Sequence, residues 1–329
     1  MKKFRALILN KKNESQSISY KLISENQLMK GDTLVRINYS TINYKDALAI
    51  TNKRPIIKKW PMIPGVDLAG VIKSSSNKNF QKGDKVILNG YGVGESHYGG
   101  FSQVAKVNSK WLTRLPEFLT PFEAMAIGSA GLTAMLSIMQ IQKHLKPSDG
   151  KILVTGATGG VGSISVMILS KLGYNVIAGS GKKEDIFLSN LGAKEIVTRD
   201  YFNHNDKLLN HQEWAGVIDV LGSKTLANII SRTHYGGIVV VCGLAEGVDL
   251  PTNMMPFIIR AITLKGVESI HTSQRLKQKA WDSLSKLIDK KKLKNLTTKI
   301  KLTEVESYSK KLLNSKIKGR IVIDLMKDL

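Results

Sequence analysis

The run Val154-Thr155-Gly156-Ala157-Thr158-Gly159-Gly160-Val161-Gly162 is the stretch whose residue types and spacing most directly serve chemistry. It lies between a β-branched segment, KILV, and an apolar helical segment, the setting a dinucleotide fingerprint requires. Gly156, Gly159 and Gly160 let the backbone turn tightly and approach a diphosphate. Gly162 lets the helix pack on its strand, and the helix start offers unpaired N–H groups to the anion. A plain tight turn is the reading without a ligand. In such units an acid about 20 residues further on receives the ribose hydroxyl of NAD. Here that place reads Ser180-Gly181-Lys182-Lys183. A hydroxyl and two ammonium groups favour the 2′-phosphate of NADPH, because charge-assisted bonds to phosphate outweigh neutral ones; the alternative is a solvated first helical turn. Arg199 and Arg320 are further candidates for the adenosine end.

Metal chemistry finds little material. The single cysteine, Cys242, excludes an intrachain disulfide and a Cys-rich zinc lobe. His97, with Glu95 nearby in a Gly-rich stretch, supplies too few ligands for a metal site, so the expectation is no metal.

The elements that must position these residues fall into two patterns. Short alternating or β-branched segments fill the first part: FRALIL, TLVRINYSTIN, GVDLAGVI and KVILNGYG. Gly31-Asp32, Pro64-Gly65 and Gly83-Asp84 punctuate them, which predicts a barrel-like all-β unit. From Pro121 a long apolar helical stretch, EAMAIGSAGLTAMLSIMQI, runs toward Pro147-Ser148-Asp149-Gly150. Strands and helices then alternate. Strands are expected at Lys151 to Thr155, Asn175 to Ser180, within WAGVIDVLG, and at GGIVVVCG; helices at Val161 to Leu172, Glu184 to Leu191 and Ser223 to Thr233. This βαβ rhythm predicts an α/β fold with a doubly wound parallel sheet. An amphipathic helix, Arg275 to Lys290, and a last strand, Arg320 to Leu325, are expected to return to the first domain. The expected division is 1–121 for the β domain, 122–265 for the nucleotide domain and 266–329 for the return segment.

Composition fits this picture: 329 residues, 42% hydrophobic and 23% charged, describe an ordinary globular chain with room for two cores. The apolar run from Phe4 to Leu9 is too short for an export signal or a membrane span, and the expected location is cytoplasmic. A net charge of +23 raises nucleic acid as a partner. The lysines are scattered, aromatics make up only 6%, and no nucleic-acid-binding motif is present, so nucleic acid is not the expected partner. A phosphorylated cofactor or coenzyme A accounts for a local share of the charge.

In register along nearly its whole length, the chain resembles the medium-chain dehydrogenase/reductase superfamily, of the quinone-oxidoreductase type and within it the acryloyl-CoA reductase branch. The segments that carry the resemblance are NYKDALAIT, PMIPGVDLAGVI, GYGVGESHYGGFSQVA, GSAGLTAML, VTGATGGVGS, CGLAEG, MPFIIRAITLKGVES and KGRIVI. The resemblance implies a GroES-like β-barrel catalytic domain joined to a Rossmann domain, a homodimer, and NADPH in the cleft. It implies that Tyr44, Thr158, Gly159, Gly160, Val161, Ser180, Gly181, Lys182, Arg199, Leu244, Ile258 and Ser269 touch the nucleotide. Two positions depart from the pattern: Lys182 stands where this branch commonly has Arg, and Tyr98 replaces a common Trp at the acyl pocket.

Zinc-dependent relatives polarise an oxygen with a metal held in part by a Gly-His-Glu motif, where this chain reads Pro64-Gly65-Val66-Asp67. Without a Lewis acid, the substrate itself must be electrophilic, such as a double bond conjugated to a thioester, ketone or quinone. Hydride goes to the β-carbon, and donors must stabilise the enolate that forms. Asn43 as a positioning donor, Tyr44 beside the nicotinamide as a proton donor, and Asp46 orienting both are the candidates. Capping of a helix that starts NYKDALAI is the equally weighted alternative for Asn43 and Asp46. Arg54, Lys58 and Lys59 would meet the phosphates of coenzyme A, unless they form a solvated basic loop. The expected reaction is NADPH-dependent reduction of acryloyl-CoA to propanoyl-CoA. A quinone or enone reductase is the near alternative, and a nucleotide-dependent RNA-binding protein the alternative of another class.

Overall fold

The computed structural model describes residues 3–13, 15–181, 185–202 and 207–326. Contacts divide the chain into unit 1, Met1–Ser129 with Ser269–Lys286 and Lys290–Leu329, and unit 2, Ala130–Glu268 with Leu287–Asp289.

Unit 1 opens with β1 (Phe4–Lys12) and β2 (Ser15–Ile23), an antiparallel pair. Next come β3 (Thr33–Thr41) and, after two residues, the short helix α1 (Tyr44–Ile50). The strands β4 (Asp67–Ser75), β5 (Lys85–Asn89), β6 (Val104–Val107) and β7 (Leu112–Arg114) follow. Alternation along these strands turns Val35, Ile37, Leu68, Ile72, Val86 and Leu88 into one core. Each such side chain contributes roughly 1.5–3 kcal/mol by leaving water.

The long helix α2 (Pro121–His144) is interrupted at Gly128, whose φ of 56° and ψ of −162° are not helical. The expected unbroken helix therefore becomes two pieces. Its apolar length would suffice to cross a bilayer, but 83% of the most apolar window is buried inside the protein, as in a core helix.

Unit 2 alternates strands and helices except between β10 and β11: β8 (Lys151–Val154), α3 (Gly160–Lys171), β9 (Asn175–Ser180), α4 (Ile186–Leu191), β10 (Glu195–Thr198), β11 (Trp214–Asp219), α5 (Ser223–Ser231), β12 (Thr233–Val241), α6 (Met255–Ile259) and β13 (Thr263–Gly266). These strands are all parallel, in the order β10-β9-β8-β11-β12-β13. Relabelled from β8, this is the doubly wound order whose direction reverses beside the first strand, and ligands bind outside the carboxyl ends of strands at such a switch point.

The chain then returns to unit 1 through α7 (Gln274–Leu287), α8 (Lys290–Asn295), β14 (Thr297–Lys301), α9 (Val305–Leu313) and β15 (Arg320–Asp324). The larger sheet of unit 1 runs β14-β15-β3-β4-β5-β7, with β6 also on β3. β15 pairs antiparallel with β3, bringing Ile323 opposite Ser40 and the chain's end back to its beginning.

Candidate functional site

In unit 2 the glycine-rich stretch forms the turn from β8 into α3. Gly156 has φ of +54°, and a Cβ on Gly162 would lie 2.4 Å from the carbonyl oxygen of Gly156 and 2.6 Å from Cα of Ala157. Only glycine allows α3 to start so close to the loop. A Cβ on Gly159 would meet nothing nearer than 3.3 Å, and one on Gly181 nothing within 4 Å. Gly159 caps α3 without a side-chain bond, so the first-turn N–H groups are left for an anion. Thr158, Gly159, Gly160 and Val161 are half-buried, accessible and contiguous.

Behind the loop stands a residue pair that the sequence did not single out. Asp219, at the end of β11, accepts from Thr155 Oγ1 (2.7 Å) and from the Gly222 N–H (2.8 Å), while Thr155 Oγ1 accepts from the Val220 N–H (3.0 Å). The two strands flanking the switch point are thereby tied at their carboxyl ends. Burial pushes the Asp219 carboxyl up to about 6, opposed by the Thr155 and Gly222 bonds. Ser180 is buried at the end of β9, Gly181 is exposed, and Arg199 is exposed just after β10. Leu244 and Ile258 are exposed apolar residues, after β12 and on α6. Lys182 and Lys183 lie outside the described residues.

In unit 1 the structure gathers Asn43 and Asp46 into a buried polar cluster whose centre is Asp67, the first residue of β4. Asp67 is fully buried and accepts from Asn43 Nδ2 (2.9 Å), Asn89 Nδ2 (2.8 Å), the Ser129 N–H (2.7 Å) and Ser129 Oγ. Arg320 enters from β15. Its Nε donates to the Ala126 carbonyl (2.9 Å) and its Nη2 to Thr41 Oγ1 (2.9 Å) and Asn43 Oδ1 (3.1 Å). The break in α2 makes room for this charge pair: a Cβ on Gly128 would lie 2.6 Å from Arg320 Nη2 and 3.0 Å from Asp67 Oδ2. Arg320 thus belongs to the cluster in unit 1, not to unit 2 with Ser180 and Arg199. Burial lowers its guanidinium to about 10, opposed by the charges of Asp67 and Asp46.

The cluster fixes Asn43. Its oxygen accepts from Arg320, and its Nδ2 faces Asp67 (2.9 Å) and Asp46 Oδ2 (3.3 Å), a partner set that also determines the amide's orientation. Both amide hydrogens are directed at carboxylates, which leaves none for a ligand. Asn43 precedes α1 as its N-cap, and its backbone N–H donates to Asp46 Oδ2 (2.9 Å). Asp46 Oδ1 accepts from the Val66 N–H (3.0 Å). Tyr44 differs: it is 51% exposed at the head of α1.

Burial pushes the Asp46 carboxyl up to about 7; Asp67 adds to the rise, and the Asn43 and Val66 N–H groups oppose it. A carboxyl with a folded-state pKa above its unfolded value stabilises most below the unfolded value, about 4, and that contribution is lost as pH climbs through about 7. Between pH 5 and 8, Asp46→Asn should therefore gain about 2–3 kcal/mol relative to wild type, whatever their difference at pH 5. Denaturant melts at both pH values check this, and parallel slopes would show that Asp46 does not titrate there.

The remaining candidates are dispersed. Arg54, Lys58 and Lys59 are exposed in the loop after α1. Lys58 pairs with Glu95 (3.5 Å), which also holds Lys45 (2.9 Å), while Arg54 and Lys59 have no acidic partner among the described residues. Tyr98 is partly buried and packs against two apolar cores. Ser269 is half-buried at the head of the return segment.

Among the described residues, no three or more His, Cys, Asp or Glu side chains come together. His97 faces the carbonyls of Lys30 (3.0 Å) and Tyr98 (3.2 Å), and Glu95 is committed to lysines. The Cys242 thiol, in unit 2, is pushed up to about 12 by burial, far from the thiolate a metal needs.

A doubly wound unit and a mixed β unit in one chain define a dehydrogenase/reductase. Family matches agree: the alcohol dehydrogenase GroES-like domain covers residues 29–117, and the family described as zinc-binding dehydrogenase covers residues 160–286. The chain belongs to the medium-chain dehydrogenase/reductase family that these two domains compose. An Escherichia coli protein named probable acrylyl-CoA reductase AcuI is 41% identical over 97% of this chain and 99% of its own length. The Bacillus subtilis protein named putative quinone oxidoreductase YhfP is 38% identical over 98% and 99%. Its crystal structure, with NAD bound, has a TM-score of 0.94 over 98% of this chain and 100% of that one. The Salmonella enterica yhdH oxidoreductase, in complex with NADP, has a TM-score of 0.95 at 42% identity over 97% and 99%.

Proposed function

We propose that this chain reduces the double bond of an α,β-unsaturated acyl thioester, acryloyl-CoA to propanoyl-CoA, with NADPH. The observation that carries the reading is full-length likeness, 41% identity over 97% of the chain, to a protein named probable acrylyl-CoA reductase. The glycine cradle fits a dinucleotide, and the Salmonella enterica relative holds NADP.

When bound, NADPH supplies the hydride that the alkene's β-carbon receives. Thr158 to Val161 hold the diphosphate through backbone N–H groups, with Ser180, Gly181 and Arg199 toward the adenosine and Tyr44, Leu244, Ile258 and Ser269 as further contacts; the charge of Lys182, which lies outside the described residues, suits the 2′-phosphate. Negative charge growing on the thioester oxygen requires a donor. Asn43 is spent on carboxylates, so its role is to cap α1 and fix its first turn. Tyr44, on that turn and half-exposed, is the donor of choice among Asn43, Tyr44 and Asp46. Arg54 and Lys59 attract the phosphates of coenzyme A, while Lys58 helps hold Glu95.

NADPH oxidation should be rapid with acryloyl-CoA and slow with free acrylate or benzoquinone. The opposite ranking would replace this reading with the quinone reductase that the Bacillus subtilis relative's name suggests. A homodimer and a cytoplasmic location complete the proposal. Exposed Met254, Met255 and Ile259, on and beside α6, support a second copy, and a monomer mass in sedimentation would remove it.

A further inference from the structure

Lys277, on α7, is 1% exposed. A buried ammonium is costly unless its hydrogens are received. Here Nζ donates to the carbonyls of Ile270 (2.8 Å) and Asn89 (2.9 Å) and stands 3.7 Å above the ring of Tyr91. Both carbonyls belong to places where irregular backbone meets. Ile270 lies in the stretch between β13 and α7, outside any helix or strand, and Asn89 ends β5.

Other contacts draw the same two stretches together. A Cβ on Gly90 would lie 2.8 Å from Cα of Ile270, so the backbones are nearly in contact. The Tyr91 hydroxyl donates to the Thr272 carbonyl (3.3 Å). Asn89 is itself held through both ends of its side chain: Nδ2 donates to Asp67 (2.8 Å), and Oδ1 accepts from Trp281 Nε1 (3.1 Å). The Lys277 ammonium therefore fastens Ile270 to a point that the buried Asp67 cluster already fixes.

We propose that Lys277 is a positioning residue for the cofactor, holding the stretch Ser269–Thr272 in place through the Ile270 carbonyl and so setting the position of Ser269. This rests on the reading above, in which Ser269 contacts NADPH. It adds a buried cation outside that contact set, acting through the backbone it holds.

The test compares Lys277→Met and Lys277→Arg by NADPH fluorescence titration, steady-state kinetics and thermal melts. Lys277→Met should weaken NADPH binding about tenfold, as expected for losing one charge-assisted hydrogen bond, and raise the NADPH KM in step. The KM for the thioester should stay within about twofold, and Lys277→Arg, still able to donate to both carbonyls, should recover most of the affinity. Wild-type NADPH affinity in a folded Lys277→Met protein overturns the proposal. So does an equal rise in both KM values that Lys277→Arg does not reverse, the mark of a packing role alone. Should Lys277→Met fail to fold, Tyr91→Leu removes the ring and the Thr272 tether and should weaken NADPH binding in the same direction; unchanged binding there also overturns it. If the wild-type protein binds no NADPH, the functional reading itself has failed, and with it the basis of this one.

Discussion

Gly162→Ala should lose NADPH binding by about a hundredfold and melt at a lower temperature. The methyl carbon would sit 2.4 Å from the Gly156 oxygen, 2.6 Å from Cα of Ala157 and 2.8 Å from the Gly156 carbonyl carbon. All three are backbone atoms, so no side chain can swing away and the start of α3 must move off the loop. Overpacking of this kind costs roughly 1–3 kcal/mol, and each 1.4 kcal/mol is about tenfold in affinity. The same displacement turns the first-turn N–H groups away from the anion, so fold and binding suffer together. Gly159→Ala separates the two effects. Its methyl would come 3.3 Å from the Gly156 oxygen, a milder contact, so its melting temperature should fall less than that of Gly162→Ala while NADPH binding weakens where the diphosphate approaches. A folded Gly162→Ala protein with unchanged NADPH affinity would remove the dinucleotide from this loop.

This half of the molecule is legible in the sequence because its signals are local. Glycines fall between a β-branched strand and an apolar helix, and strand-helix alternation at short spacing sets a parallel sheet whose order places the loop at the switch point. Edge strands such as β10 and β13 are short, carry little alternation, and escape the same reading. The cluster around Asp67 is hidden for a different reason. Its members come from positions 43, 46, 67, 89, 129 and 320, and no spacing rule links them before the sheet of unit 1 pairs β15 with β3. Asp67 reads as a minor interruption in an apolar strand, GVDLAGVI, though a lone acid inside a fully buried strand is itself a signal. Gly128 reads as a tolerated glycine within an apolar helix, and only the charges beside it reveal why the helix stops. Lys277 looks like one more lysine on an amphipathic helix until its burial is known. Asn43 shows the cost of working from residue type alone: its amide suits a substrate carbonyl, but the fold directs both donors to carboxylates.

That cluster makes Arg320→Met the second large effect, on stability first and on turnover through it. Two buried carboxylates, Asp46 and Asp67, face one buried guanidinium, and the N–H donors of Asn43, Asn89, Ser129 and Val66 complete their coordination. Methionine fills much of the volume but leaves the carboxylates without a cation, and breaking a buried pair from one side costs about 3–5 kcal/mol. At roughly 1.5 °C per kcal/mol for a chain of 329 residues, the melting temperature should fall by about 6 °C. The Asn43 oxygen loses its donor as well, which frees the amide to turn and slackens the first turn of α1 that carries Tyr44. The kcat should therefore drop while the KM for NADPH changes little, because the proposed diphosphate loop, Thr158 to Val161, lies in unit 2. Adding Asp46→Asn should restore part of the lost stability, because it removes one of the carboxylates left uncompensated. A melting temperature for Arg320→Met within about 1 °C of wild type, less than 1 kcal/mol on the same scale, would show that the hydrogen-bond donors alone sustain the two carboxylates. The guanidinium would then serve only to orient Asn43.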